Sequence, residues 1–238
     1  MKLDPRACVV QQRLAGIKTI IAVTGWKGGI GKSSAACALA MAFRELGYRT
    51  GLLDLDLTGA SDHIILNARN AFPEEIKGLK PPLVEGIAFM SLSFFTAERA
   101  APLRGADASS AILELLAVTS WGELDFLVID MPPGISDAAL DSVKYFRRAK
   151  LLPVTTPSAL ARQSLARAAA LFGAMGLKPA GIIENFTDKN SEPLPAEFVS
   201  LAKIPHDSAW DASVGNPAAL RKTVFYEALR QVARQLAN

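Results

Sequence analysis

Short apolar runs alternate with longer segments of helical period along most of the chain. Thr19-Ile20-Ile21-Ala22-Val23-Thr24 is a β-branched run that predicts a strand. A glycine-rich turn follows, and Ser34 to Leu46 then predicts a helix. Further strands are predicted at Gly51 to Asp54, Gly86 to Ser91, Phe126 to Asp130, Leu151 to Thr155 and Ala180 to Asn185. Helices are predicted at Ala108 to Val118, Ser136 to Arg147, Ser158 to Gly173 and from Ala218 onward. Ala71 to Glu85, rich in Pro, Lys and Glu, predicts a surface loop. This β–α alternation implies an α/β fold, a mostly parallel sheet with helices on both faces.

Two details qualify the pattern. Pro153 falls inside a predicted strand, where its missing N–H removes a ladder bond, so a bulge or an early strand start is expected there. In the C-terminal helix Phe225, Leu229, Val232 and Leu236 form one apolar stripe. Such a stripe favours a closing helix packed on the sheet over one lying in a membrane surface. Neither an internal repeat nor a linker between two composition regimes is apparent. The expected organisation is an N-terminal extension over residues 1–17 and one domain over residues 18–238.

Composition narrows the class. Half of the 238 residues are hydrophobic and 21% are charged, which fits a globular domain. The longest apolar run, Ala35 to Phe43, is far short of the roughly 20 residues that span a bilayer. Met1 to Ile17 carries charges and no long apolar core, unlike a secretory signal, so a cytoplasmic location is expected. A net charge of +3 gives no nucleic-acid signal, and Arg147-Arg148-Ala149-Lys150 is expected at a helix C-terminus. Cys8 and Cys37 make neither a disulfide framework nor a metal set. Cys37 is expected in the core.

The chemistry concentrates at Gly25-Trp26-Lys27-Gly28-Gly29-Ile30-Gly31-Lys32-Ser33-Ser34. The plain phosphate-loop pattern requires Gly where this chain has Trp26, yet the working parts are present. Gly28, Gly29, Ile30 and Gly31 can turn backbone N–H groups toward a phosphate. Lys32 can reach β/γ oxygens, and the Ser33 hydroxyl can ligate Mg²⁺. A strand before the loop and a helix after it place the helix N-terminus on the anion. An NTP site also needs carboxylates near the metal. Asp54, Asp56 and Asp130 stand at or just past strand ends, where α/β sheets bind ligands. Gly134, after Met131-Pro132-Pro133, can let the backbone swing toward a γ-phosphate.

With Lys27 five positions before Lys32, the loop resembles the deviant Walker A motif of the MinD/ParA/nitrogenase-iron-protein ATPases. Gly51 to Ser61 is similar to the switch I segment of the Mrp/ApbC-type iron–sulfur cluster carriers within that group, and Trp121 to Gly134 to their switch II. Val154-Thr155-Thr156-Pro157 and Gly181-Ile182-Ile183-Glu184-Asn185 follow in the expected order. The resemblance implies a P-loop ATPase that works as a homodimer with ATP at the interface and Mg²⁺ as cofactor. It assigns Lys27 to the partner subunit's nucleotide, and Lys32 with Ser33 and Ser34 to phosphate in the same subunit. Asp56 would orient the hydrolytic water, with Ser33, Asp54 and Asp130 in the Mg²⁺ shell. Asn185 would read the adenine, and the loop carrying Pro205 and Asp207 would close over the base.

The chain departs from those relatives at two places. Trp26 replaces the usual Gly, where a ring fits packing at a dimer face or gating of the loop. The C-x-x-C pair that bridges a [4Fe–4S] cluster is absent from Phe186 to Pro195. Four thiolates are the usual requirement, which argues against a cluster held in the family way. The leading expectation is a slow, Mg²⁺-dependent, dimeric ATPase switch that serves metallocofactor assembly or maturation of a client protein. The alternative is a MinD/ParA-like positioning ATPase at a membrane or DNA.

Overall fold

The computed structural model describes residues 4–57, 59–95, 106–134, 137–177 and 179–238, without the side chains of 137, 138 and 141. Thr58 in the switch I-like stretch and the predicted helix start at Ser136 lie outside the described residues. The chain runs α1 (Arg6–Leu14), β1 (Ile17–Thr24), α2 (Lys32–Glu45), β2 (Thr50–Asp54) and α3 (Asp62–Ile65). Three two-residue strands follow, β3 (Glu74–Glu75), β4 (Leu79–Lys80) and β5 (Leu83–Val84), then β6 (Ile87–Ser91), α4 (Ala106–Val118) and β7 (Leu124–Asp130). The remainder is α5 (Asp137–Tyr145), β8 (Lys150–Thr155), α6 (Ala159–Ala174), β9 (Ile182–Thr187), β10 (Ser200–Pro205), α7 (Ser208–Ala212), α8 (Pro217–Leu220) and α9 (Val224–Ala237).

Eight strands form one sheet in the order β10-β9-β8-β1-β7-β2-β6-β5. All neighbours are parallel except β5, which pairs antiparallel with β6. Alternation along each central strand feeds two separate cores. Ile21, Val23, Phe126 and Val128 point to the layer holding α2 and α9. Ile20, Ala22, Leu127 and Ile129 point to the layer of α1, α4, α5 and α6.

Helix α2 is buried almost all round, which explains its unbroken apolar run: the sheet covers one side and α9 the other. Its alanines allow close approach, and Cys37 is fully enclosed. Phe225, Leu229 and Val232 of α9 are buried against this layer, and Tyr226 donates its hydroxyl to Glu45 at 2.6 Å. The C-terminal stripe therefore closes the core. No helix among the described residues is long and apolar enough to cross a membrane.

Several expectations are refined. Pro153 sits in β8 opposite Thr24 of β1. On the other side the register shifts by one residue across it, from Leu151 opposite Pro179 to Val154 opposite Ile183, the irregularity expected at a proline. The missing donor thus falls at the register shift on the β9 side. Residues 71–85 contain the β3–β4 hairpin and edge strand β5, each too short to show alternation. Strand β10 carries Lys203 among apolar residues and gave no distinct signal. Arg148 lies beyond the end of α5 and donates to the carbonyls of Leu14 and Ile17, closing the C-terminal end of α1 rather than of its own helix. Within the stretch expected as an N-terminal extension, α1 packs on α4 and α5 and buries Val10 and Leu14.

Candidate functional site

Sheet register assembles the site. Asp54 at the end of β2 is the direct partner of Asp130 at the end of β7, and Asp130 is also level with Val23 near the end of β1. Two carboxylates are thereby fixed side by side beneath the loop that leaves β1. That loop enters α2 through Gly31, whose φ of 87° is in the left-handed region, and Gly29 has φ 73°. A Cβ on Gly31 would collide with the Asn185 side-chain amide. Asn185 Nδ2 donates to the Ile30 carbonyl at 2.9 Å, so β9 braces the loop from the far side. Its Oδ1 is buried without a partner among the described residues.

The charges beneath the loop are tightly organised. Lys32 Nζ lies 2.7 Å from Asp130 Oδ1 and 3.6 Å from Asp56 Oδ2. Ser33 Oγ donates to Asp130 Oδ2 at 2.7 Å. Asp54 accepts from the Asp56 backbone N–H and from Ser91 Oγ, each at 3.0 Å, and Gly59 N–H donates to Asp56 Oδ1 at 3.0 Å. Burial pushes the Asp54 carboxyl up to about 7, with the charge of Asp130 adding to the shift. Asp130 is raised by burial in spite of Lys32 and Ser33. Burial opposes the Lys32 charge, but the charge and hydrogen bond of Asp130 outweigh it and raise the ammonium.

Above these groups opens a cleft of about 500 Å³. Its floor is the loop from Lys27 to Ser34; Asp56 and Asn185 line it, and Asp207, Trp210 and Phe225 close one wall. Lys27 is exposed at the loop. Gly134, with φ 76°, donates its N–H to the Gly25 carbonyl at 3.0 Å and ties the segment after β7 to the loop. Asp207 accepts from Ala209 N–H at 3.1 Å and Phe225 N–H at 2.8 Å, pinning the starts of α7 and α9 together. Pro205 is exposed at the end of β10 and does not line the cleft. Trp26 also stays outside it. Its ring lies 6.4 Å from Phe172 of α6, on the opposite layer.

A backbone cradle over a buried lysine, a hydroxyl and strand-end carboxylates is the arrangement of a P-loop. A ParA-type family model, described as the NUBPL iron-transfer P-loop NTPase, matches residues 16–193. The chain belongs to this family. The iron–sulfur cluster carrier protein of Deinococcus radiodurans is 34% identical over 96% of this chain and 71% of its own length. That of Escherichia coli K12 is 36% identical over 74% of this chain, which spans only 49% of that relative. Among solved structures, an Archaeoglobus fulgidus nucleotide-binding protein in complex with ADP superposes with TM-score 0.74, at 26% identity, over 91% of this chain and 93% of its own. Pyrococcus horikoshii MinD with Mg-ADP shares the fold at 21% identity and TM-score 0.69, over 92% of this chain and 96% of its own.

A NUBPL-family NTPase thus presents most of the residues singled out by sequence around one cleft. Sequence reasoning passed over Asp62, Ser91, Trp210 and Phe225. Ser91 ends β6 beside Asp54, and a serine closing a strand is a weak signal. Trp210 and Phe225, 4.6 Å apart, look like ordinary core residues in the sequence. Asp62 was masked by its neighbourhood: an acid opening a short helix reads as a surface helix start.

Proposed function

We propose that this NTPase is an ATP-driven homodimeric switch that serves iron–sulfur assembly, or maturation of a partner protein, without a bridging cluster of its own. One observation carries the nucleotide reading: Lys32 and Ser33 converge on Asp130, with Asp56 3.6 Å from the Lys32 ammonium. In this reading the amides of Gly28 to Ser34 hold the phosphates. Lys32 leaves Asp130 for the β/γ oxygens, and Asp56 orients the attacking water. Ser33, Asp54 and Asp130 offer the hard oxygen donors that suit Mg²⁺, whose chemistry is charge neutralisation on the phosphates. Asn185 Oδ1, buried and without a partner among the described residues, suits the amino group of adenine. Lys27, exposed on the loop, is placed to reach a nucleotide in a second subunit.

Relatives of this chain are named iron–sulfur cluster carriers. Here Cys37 is sealed in the core and Cys8 is an exposed thiol near the N-terminus, so the chain lacks the thiolates of a C-x-x-C pair. The stretch after Asn185 is instead a polar turn, with Asp188 Oδ1 accepting from Asn190 N–H at 2.8 Å and Glu192 paired to Arg162 at 2.7 Å. The positioning-ATPase alternative is less favoured, because the amphipathic stripe of α9 is spent on the core.

The test is ATP turnover by wild type and Lys27→Ala, with nucleotide binding measured alongside. The expected result is slow Mg²⁺-dependent hydrolysis that Lys27→Ala abolishes while ATP binding survives. Wild-type protein that binds no ATP refutes the reading. Loss of binding together with turnover removes the cross-subunit role of Lys27.

A further inference from the structure

Asp62 has no part in the reading above, yet its surroundings are not those of an ordinary helix-start acid. It is the first residue of α3 and is 0% exposed. Neither carboxylate oxygen meets a hydrogen-bond donor among the described residues, apart from the weak thiol donor of Cys37 beside it. Burying an ionised carboxylate in this way is costly unless a positive charge compensates it, and the dipole of a four-residue helix is too weak to do so.

The side chain points into a defined place. Oxygens of Asp54, Asp62 and Asp130, all buried, lie within 4.8 Å of one another. Oxygens around a Mg²⁺-sized cation at about 2.1 Å stand roughly 3 to 4.2 Å apart, so a small closure of these side chains reaches bonding geometry. Asp54 is already oriented by Ser91 Oγ and the Asp56 amide, as outer hydrogen bonds orient metal ligands. Charge points the same way. Lys32 is shared between Asp130 and Asp56, so one ammonium cannot offset the ionised forms of Asp54, Asp62 and Asp130, and a divalent cation supplies the charge that is lacking. Three carboxylates without sulfur or imidazole select hard cations.

We propose that Asp62 completes a tricarboxylate site with Asp54 and Asp130 that holds a divalent cation of the Mg²⁺/Mn²⁺ class before nucleotide arrives. The inference extends the nucleotide site proposed above, in which Ser33, Asp54 and Asp130 meet the cation with ATP bound. What it adds is a third carboxylate and retention of the metal without phosphate. A chain loaded in this way meets free ATP rather than depending on the Mg²⁺ complex.

The test uses the full chain, stripped of metal with chelator and free of nucleotide, titrated with Mn²⁺ while free Mn²⁺ is followed by electron paramagnetic resonance. Expected are one sub-millimolar Mn²⁺ site per chain and a loss of roughly tenfold or more in affinity for Asp62→Asn. Asp62→Ser, which keeps a side-chain oxygen at the helix start, replaces the Asn variant if circular dichroism shows that one unfolded. A wild-type chain with no Mn²⁺ site in the absence of nucleotide, or a folded variant that binds Mn²⁺ as wild type does, overturns the proposal. ATP binding by wild type is measured in parallel with a fluorescent analogue and excess Mg²⁺. Failure there strikes the nucleotide reading, whereas Mn²⁺ failure with ATP binding intact strikes only the role of Asp62.

Discussion

Lys32 Nζ rests 2.7 Å from Asp130 Oδ1, so the lysine that would meet a phosphate is held by a strand-end carboxylate. Both groups are buried, Lys32 at 8% and Asp130 at 0% side-chain exposure. The pair keeps Lys32 charged in a dry site and spares Asp130 an isolated negative charge. Phosphate binding then becomes an exchange of one anion for another around the same ammonium.

In metal-free buffer, removing the lysine leaves Asp130 buried beside Asp54 and Asp62 with no cation. Lys32→Ala should therefore lose about 3–5 kcal/mol of stability as well as ATP binding. Urea unfolding and fluorescent-nucleotide titration check both. A variant as stable as wild type would show that water already reaches Asp130.

The carboxylate cluster predicts an unusual pH response. Asp54 titrates near 7 in the folded chain against 3.8 as the ordinary value, so the folded state holds the proton more tightly. Its contribution to stability is full below about pH 4 and is lost as pH rises through about 7. Asp62 and Asp130 are shifted in the same direction. In metal-free buffer, Asp54→Asn should flatten the fall in stability between pH 4 and 7, measured by chemical denaturation. An unchanged pH profile would mean that Asp54 is not strongly desolvated.

Gly31 has little backbone freedom. Its φ of 87° and the Asn185 amide pressing on it leave no room for a methyl group. Gly31→Ala should cost more than about 1 kcal/mol and lower ATP affinity by displacing the loop. Melting temperature and nucleotide titration test it; an Ala variant with wild-type values for both would contradict this geometry.

Much of this was legible in the sequence. The central strands announce themselves because β-branched and aliphatic runs fill both faces of a parallel sheet, and the loop residues follow a fixed spacing. What was hidden depends on tertiary neighbours. Strand β10 and the short β3 to β5 carry too few alternating positions to signal themselves. Pro153 marks an irregularity that the missing N–H announces in the sequence, but only the sheet register reveals that it falls on the β9 side, between Leu151 and Val154. Asp62 was invisible because what distinguishes it, two buried oxygens facing Asp54 and Asp130, is a long-range property.

Trp26 breaks the plain phosphate-loop pattern, yet its ring packs toward Phe172, away from the cleft. Trp26→Gly, which restores the pattern, should cost about 1–3 kcal/mol through lost packing while changing ATP affinity little. Denaturation midpoints and ATP titration separate the two effects. A large loss of affinity at unchanged stability would give the ring a direct part in the nucleotide site.

The central claim, an ATP-driven two-subunit switch, is tested most directly by sedimentation velocity of Asp56→Ala with Mg²⁺ and either ATP or ADP. With hydrolysis blocked, the account predicts a shift from the 25.3 kDa chain to a species of about twice that mass in ATP but not in ADP. A particle that keeps one mass in both nucleotides, while ATP is demonstrably bound, would contradict it.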